Sequence, residues 1–448
     1  MSNLETDLWR KGICEDTPLP PLLTEEGSGP RFFAQQYRKL GPIFRMLRPE
    51  GTVTVMVGPE ANTFIARHEY ELFTSHEEWE EFFATMNKAE TRISQERDGI
   101  ANRQRRARES RNYSRTHMLD QLPRMIAITH EFTQWHPEQR VVVLPAMQRV
   151  VSEQLGQLLV NYSVGDYLPD LVTYLNTAIN SSFGGGHSAD VTPLSPEFQR
   201  AQERAYELGR AILAAHSDQA SSDRKPDLLD EQLVDVAKGL HHMPEQVQAL
   251  IGLGPFLAGL DTVANSTSFM LYALLKEPDI LQRVVAEVDA AFAQGSLTWE
   301  LLKTMQALHG AAIETLRLYP VAEGHKARVA QPFTFAGYRL EPGDNVYVAM
   351  TAPHFLPELF PSPEAFDIDR YHEPRNEQRQ RGAYAPFGLG DHTCLGSGIA
   401  EIQLMVIPAV ILHTYQLALD PPDYQLTIKR DPTPSPGQQL KLRVVARR

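Results

Sequence analysis

Residues Phe387 to Gly396 read FGLGDHTCLG and run directly into the helical stretch SGIAEIQLMVI, residues 397–407. Gly388, Gly390 and Gly396 surround one cysteine, Cys394, just ahead of that helix. Such glycines permit positive φ and close approach of the backbone to a flat group. A cysteine at a helix N-terminus has its thiolate favoured by free N–H groups and by the helix dipole. The same N–H groups can hydrogen-bond the sulfur and tune a metal bound to it. A lone cysteine is more often a small buried hydrophobe. The pattern of the whole segment is what turns the reading towards a ligand.

The rest of the chain sets bounds on that reading. Its 448 residues suggest two or three domains by length alone, but no low-complexity linker or repeat divides them, so a single domain over 1–448 is expected. Cys14 is the only other cysteine, which excludes a disulfide framework and a zinc site of three or four thiolates. Two cysteines suit a reducing cytoplasm. A formal net charge of −13 argues against general nucleic-acid binding. The first residues, MSNLETDLWRKGICEDTPLPPLL, are charged and proline-broken, and lack the apolar run of an anchor or signal peptide. A soluble, cytoplasmic protein is therefore expected.

Prolines 18, 20, 21 and 30 make the first fifty residues irregular, and Thr52–Val57 reads as a strand. From Pro59 to the late 320s the pattern is mostly helical, with loops at 181–196 and 216–226. The longest candidate helix runs from Pro244 to Glu277, with Pro255 and Gly259 expected to distort its middle. PFTFAGYRLEPGDNVYVAM predicts two strands around a type II turn at Glu341–Asp344. LTIKR and LKLRVVA predict a closing hairpin, giving β-rich parts near 52–57, 331–350 and 426–446. The fold class is mainly α with a minor β part. Glu314 and Arg317 in ETLRLYP sit i,i+3 on one helix face among apolar residues, where they can pair.

The cysteine segment resembles the haem-binding signature of the cytochrome P450 family, matching at Phe387, Gly388, Gly390, Cys394 and Gly396. The resemblance spans roughly residue 41 to the C-terminus and implies the P450 fold, with haem b held between a long distal helix and the proximal Cys-loop helix. It implies Cys394 as axial iron ligand and His392 as a basic residue facing a propionate. Glu314 and Arg317 correspond to the family's ExxR pair, with Arg370 in PEAFDIDRY as the third, structural member. In Ala258-Gly259-Leu260-Asp261-Thr262, the small residues would leave room over the haem. Thr262 would serve oxygen activation and Asp261 would relay protons. In the basic run 103–111, RQRRARESR, Arg106 would meet a propionate, with Asn102 where the family often has His, and Arg328 would meet another. Arg103 and Arg105 are expected to offer a docking face for an acidic electron donor. Departures are Phe355-Leu356 for the usual Arg-Asp pair, Val263 for a second hydroxyl, and Pro408, expected to kink its helix.

The family reading implies a monooxygenase that inserts one atom of O2 into a C–H bond of a small, mainly apolar organic substrate. A pocket is expected from 86–97, 174–196, 258–266 (including Ala258, Val263 and Ser266), 321–325 and the C-terminal hairpin. Val321, Ala322 and Glu323 are its expected lining, and Glu323 with His325 could orient a polar substrate group or point elsewhere. Terpenoids, steroids, fatty acids and polyketides remain open. No flavin-binding region is visible and two cysteines cannot hold an iron–sulfur cluster, so electrons are expected from a separate ferredoxin or flavodoxin with its reductase, to a monomer. The alternatives are a haem-thiolate peroxygenase, isomerase or dehydratase, against which Asp261-Thr262 argues, and a haem-binding sensor. A non-haem helical scaffold is the bland extreme.

Overall fold

The computed structural model describes residues 20–448 apart from 24–26, 49–50, 75–102, 105, 108, 111–112, 183–191, 193–194, 219–226, 231–232, 234–244 and 431–432. Asn102, Arg105, Cys14 and the expected pocket wall at 86–97 lie outside the described residues. The helices are α1 (Pro30–Leu40), α2 (Pro59–Leu72), α3 (Arg115–Asp120), α4 (Leu122–Phe132), α5 (Val143–Leu159), α6 (Leu168–Ser182) and α7 (Pro196–Asp218). They continue with α8 (Glu245–Gly252), α9 (Gly254–Lys276), α10 (Pro278–Phe292), α11 (Trp299–Thr304), α12 (Gln306–Leu318) and α13 (Ser397–Thr414).

The main core forms where α9 packs on α5 and α13, with α4, α7 and α12 around them. Helix α13 is apolar on nearly every side, as a helix enclosed by others must be. Among the described residues it is the one helix long and apolar enough to cross a membrane, and 67% of that span is buried inside the protein. It runs through Pro408 without a break. The expected long helix from Pro244 is divided instead. Helix α8 ends at Gly252, Leu253 turns, and α9 starts so that Pro255 falls in its first turn. There the missing N–H costs nothing, whereas inside a continuous helix it would leave a carbonyl unpaired.

The strands are β1 (Leu22–Leu23), β2 (Ile43–Arg48), β3 (Gly51–Val57), β4 (Phe73–Thr74), β5 (Arg140–Val142), β6 (His325–Val329), β7 (Phe333–Phe335), β8 (Tyr338–Leu340), β9 (Asn345–Ala349), β10 (Tyr415–Leu419) and β11 (Lys441–Arg447). The larger sheet has the order β1-β2-β3-β9-β6-β4. The described residues between 20 and 48 are thus more ordered than proline content suggested, because Pro30 starts α1 and β2 pairs antiparallel with β3. The expected two strands after residue 330 are three. Ala336 and Gly337, both at positive φ, close a β7–β8 hairpin, while Gly343 at φ 93 turns the chain into β9 between β3 and β6. The closing hairpin also differs: residues 426–430 make one bridge, Lys429 to Ser435. Strand β11 pairs with β10 and β5, a register that puts Leu442 and Val444 in the core. His216–Asp218, expected as loop, complete α7.

Candidate active site

The loop before α13 is closed by its own backbone. The Cys394 N–H donates to the Phe387 carbonyl at 2.6 Å and the Thr393 N–H to that of Gly390 at 3.3 Å. Gly388 and Gly390 adopt φ of 82° and 58°, which a side chain would resist. The resulting turn presents Cys394 as an exposed residue at the mouth of a buried helix. Surrounding protein still pushes its thiol pKa up, opposed by a hydrogen bond from the Gly396 N–H and by the Arg106 charge. Arg106 itself donates to the Thr393 carbonyl.

Helix α2 grips the other side of the loop. Glu69, 4% exposed, accepts from the His392 N–H at 3.1 Å and lies 3.1 Å from His392 Nδ1 and 3.5 Å from His325 Nε2. Burial pushes the His325 pKa down, against the pull of Glu69. Arg103 Nη2 meets Asp391 at 2.8 Å and its guanidinium lies 3.5 Å over the Tyr70 ring. Of the two arginines expected to greet a redox partner, Arg103 thus pairs with the cysteine loop while its side chain stays half exposed, and Arg105 lies outside the described residues. Arg328, paired across to Thr74 and Asn345, is three residues from His325 and so on the opposite face of β6.

Behind the loop, Glu314, Arg317 and Arg370 meet with no solvent exposure at all. Arg317 donates from Nε to Glu314 Oε2 at 2.7 Å and from Nη2 to Oε1 at 2.9 Å, while Arg370 Nε reaches Oε1 at 3.1 Å. Tyr371 also donates to Glu314, and Glu377 takes Arg370 Nη1 at 2.9 Å. Arg317 Nη1 donates to the His354 carbonyl at 2.7 Å, and His354, pushed down to about 3 by burial and that guanidinium, accepts the Ala385 N–H at 3.0 Å. This cluster connects α12 to the strand–loop region leading into the cysteine loop. Phe355, at the departure noted in the sequence, lies under the Arg31 guanidinium at 4.4 Å.

On α9, Ala258 is exposed and Thr262 half-buried, one turn apart on one face, and the Thr262 hydroxyl donates to the Ala258 carbonyl at 2.7 Å. Asp261 points elsewhere and is buried. It accepts from Asn265 Nδ2 at 3.0 Å and from the Thr433 hydroxyl. Burial raises its pKa, and those two bonds oppose the rise. A Cβ on Gly259 would stand 3.1 Å from Leu155 Cδ1, so its smallness lets α9 approach α5. Val263 and Ser266 are buried, Val321 is half-buried and Ala322 exposed. Glu323 is bound to Arg430, so the acid and the imidazole of His325 have separate partners.

The donor set suits an iron porphyrin: one exposed thiol at the head of a helix, with nitrogen donors for carboxylates from His392 on the same loop and from Arg106, which meets that loop at the Thr393 carbonyl. Reading the sequence did not mark Glu69, Asn265, Thr433, Tyr371 or Glu377. Tyr371 closes the segment PEAFDIDRY and Asn265 stands one turn after Asp261, whereas Glu69 and Thr433 reach their partners only through folding.

The sequence model of the family Cytochrome P450 matches residues 22–442. The chain is 26% identical over 330 residues to the beta-amyrin 28-monooxygenase of Barbarea vulgaris, covering 71% of this chain and 67% of that protein. It is 36% identical over 173 residues to the sterol 14alpha-demethylase of Mycolicibacterium vanbaalenii, which is 38% of either chain. It is 30% identical over 234 residues to the cyclooctat-9-en-7-ol 5-monooxygenase of Streptomyces melanosporofaciens, 50% of this chain and 49% of that one. The solved structure of retinoic acid bound cyanobacterial CYP120A1 superposes with a TM-score of 0.79 over 97% of this chain and 100% of that chain, at 23% identity, a likeness of fold. Its thiol loop, its buried glutamate–arginine cluster and a family match across nearly all of its length make this chain a member of the cytochrome P450 family, and a monooxygenase of that family.

Proposed function

We propose that the chain binds haem b through Cys394 and inserts one oxygen atom from O2 into a C–H bond of an isoprenoid-derived, mainly apolar substrate. Electrons come from a separate ferredoxin- or flavodoxin-type donor. The observation that carries the reading is the cysteine loop, closed by the Cys394 N–H on the Phe387 carbonyl, which presents an exposed thiol at the head of a buried helix. When bound, haem supplies the activation of O2. Cys394 would ligate the iron, with the Gly396 N–H moderating the charge on sulfur. His392 and Arg106 would hold the haem carboxylates, and Asn102 would add a neutral donor, whereas Arg328 stands on the face of β6 opposite His325.

The reaction consumes protons, and a carboxyl kept protonated by burial is a source for them. Burial shifts the Asp261 pKa upward, in that direction, and its hydrogen bonds to Asn265 and Thr433 fix its position. The Thr262 oxygen, whose proton is directed to Ala258, keeps lone pairs for a donor. Ala258, Val263, Ser266, Val321 and Ala322 would line the substrate side, and Glu323 would stay with Arg430. Beta-amyrin, a sterol, cyclooctat-9-en-7-ol and retinoic acid, the compounds in the names of its relatives, are all isoprenoid-derived, which supports that substrate class. Two cysteines in 448 residues suit a reducing cytoplasm.

The test has two stages. Holoprotein is titrated with retinoic acid, a sterol, a triterpene alcohol and a long-chain fatty acid while the Soret band is followed. A compound that shifts the band is then turned over under ¹⁸O2 with a ferredoxin and its reductase. A shift with an isoprenoid and one labelled oxygen in the product is expected. A shift with the fatty acid alone overturns the substrate class, and an unlabelled product overturns the oxygenase reading.

A further inference from the structure

Glu69 is a carboxylate 4% exposed, set in the middle of three elements that are far apart in sequence. From the last turn but one of α2 it accepts the backbone N–H of His392 at 3.1 Å and faces the Nδ1 of the same ring at 3.1 Å. On that same oxygen, Oε1, converges Nε2 of His325 from β6 at 3.5 Å. The cysteine loop is shaped to admit this group, since a Cβ on Gly390 would stand 2.4 Å from Glu69 Oε2. The next residue on each side repeats the grip, with Tyr70 under the Arg103 guanidinium and Arg103 on Asp391. A buried carboxylate bound by two imidazoles is an expensive arrangement unless the imidazoles must be held in one orientation. Here one of the two rings lies two residues from Cys394.

We infer that Glu69 is a positioning residue for the prosthetic group, holding His392 and His325 as a paired clasp for the haem carboxylates and fixing the loop that carries Cys394. This rests on the haem-thiolate reading above. Nothing in the sequence motif requires an acid at this point or an imidazole on β6. His325 thereby gains a role that its position beside Glu323 left open: it faces the cofactor side through Glu69, not the pair formed by Glu323 and Arg430. By acting on the orientation of groups around the cofactor, Glu69 should govern both how firmly haem is held and the potential at which it is reduced.

The experiment uses holoprotein and three variants: Glu69→Gln, which keeps the shape and removes the charge, His325→Ala, and the two together. Haem transfer to excess apomyoglobin and the midpoint potential of the haem are measured for each, with thermal unfolding as the control for folding. Glu69→Gln is expected to speed haem transfer by about tenfold and to move the potential to more positive values, because a negative charge is lost. His325→Ala is expected to speed transfer, and the double variant to add little to Glu69→Gln. Wild-type transfer rate and potential in Glu69→Gln would overturn the inference while leaving the haem-thiolate reading intact. Additive effects in the double variant would also overturn it, since the two residues would then act separately. If Glu69→Gln does not fold, Glu69→Asp takes its place: it keeps the charge but its shorter side chain no longer spans both rings, so faster haem transfer is expected and a wild-type transfer rate there counts against the inference. A wild-type protein without haem absorption is a different result and strikes the haem reading itself.

Discussion

Two buried acids in this molecule stand in opposite circumstances. Glu314 has two guanidinium groups, a phenol and the Asp367 N–H on its two oxygens, and no solvent. Asp261 is nearly as buried, but its partners are the neutral Asn265 and Thr433. A fully compensated charge in a dry site is fixed in place, and removing one member strands the others. A buried acid without a cation is favoured in its protonated form and can exchange that proton. The first arrangement belongs to architecture and the second to chemistry. The two lie on helices that pack against each other, α12 and α9.

The difference can be broken most severely from the architectural side. Arg317→Ala should destabilise the fold by about 3–5 kcal/mol, because Glu314 keeps its burial and loses two bonds. Denaturant unfolding of purified holoprotein measures it, and a loss below 1 kcal/mol would reduce the cluster to the rank of an exposed ion pair. On the chemical side, Asp261→Asn should lower turnover by about 10²-fold while haem content and unfolding midpoint stay near wild type. A parallel fall in haem content would move Asp261 to the architectural class. Thr262→Ala should leave the fold unchanged and lower product formed per NAD(P)H consumed, read from product and peroxide yields together; unchanged coupling would remove the hydroxyl from the proton route.

A smaller effect sharpens the same contrast through pH. Burial raises the Asp261 pKa above 3.8, so from that pH upward the folded state keeps a proton that the unfolded chain has released. Stability attributable to this group is therefore full in acid and falls as pH rises through the raised pKa. Asp261→Asn should flatten that part of the stability profile. A variant whose stability falls with pH as steeply as wild type would show that other groups own the slope.

Much of the site was legible because it is written in consecutive residues. The cysteine loop, ETLRLYP and AGLDT each carry their geometry within one helix turn or one tight loop, so spacing alone brings Glu314 to Arg317 and places Ala258 and Thr262 on one face. Apart from Asn265, one turn from Asp261, what was missed depends on contacts across the chain. Glu69 and His392 are 323 residues apart, and Thr433 and Asp261 are 172 apart. Arg103 was legible as a charge and not as a bond, because Asp391 and Tyr70 come to it through folding. The same holds for the fold. The helical period was readable over α5, α7 and α9, but the partner of β11 was not, since its alternation suits any neighbour that covers Leu442 and Val444.

The central claim is that Cys394 binds iron as a thiolate, and the reduced protein under carbon monoxide tests it most directly. The account predicts a strongly red-shifted Soret band in the wild type that is lost in Cys394→Ser. A haem band lacking that shift in the wild type, or a shift that survives in Cys394→Ser, would contradict it.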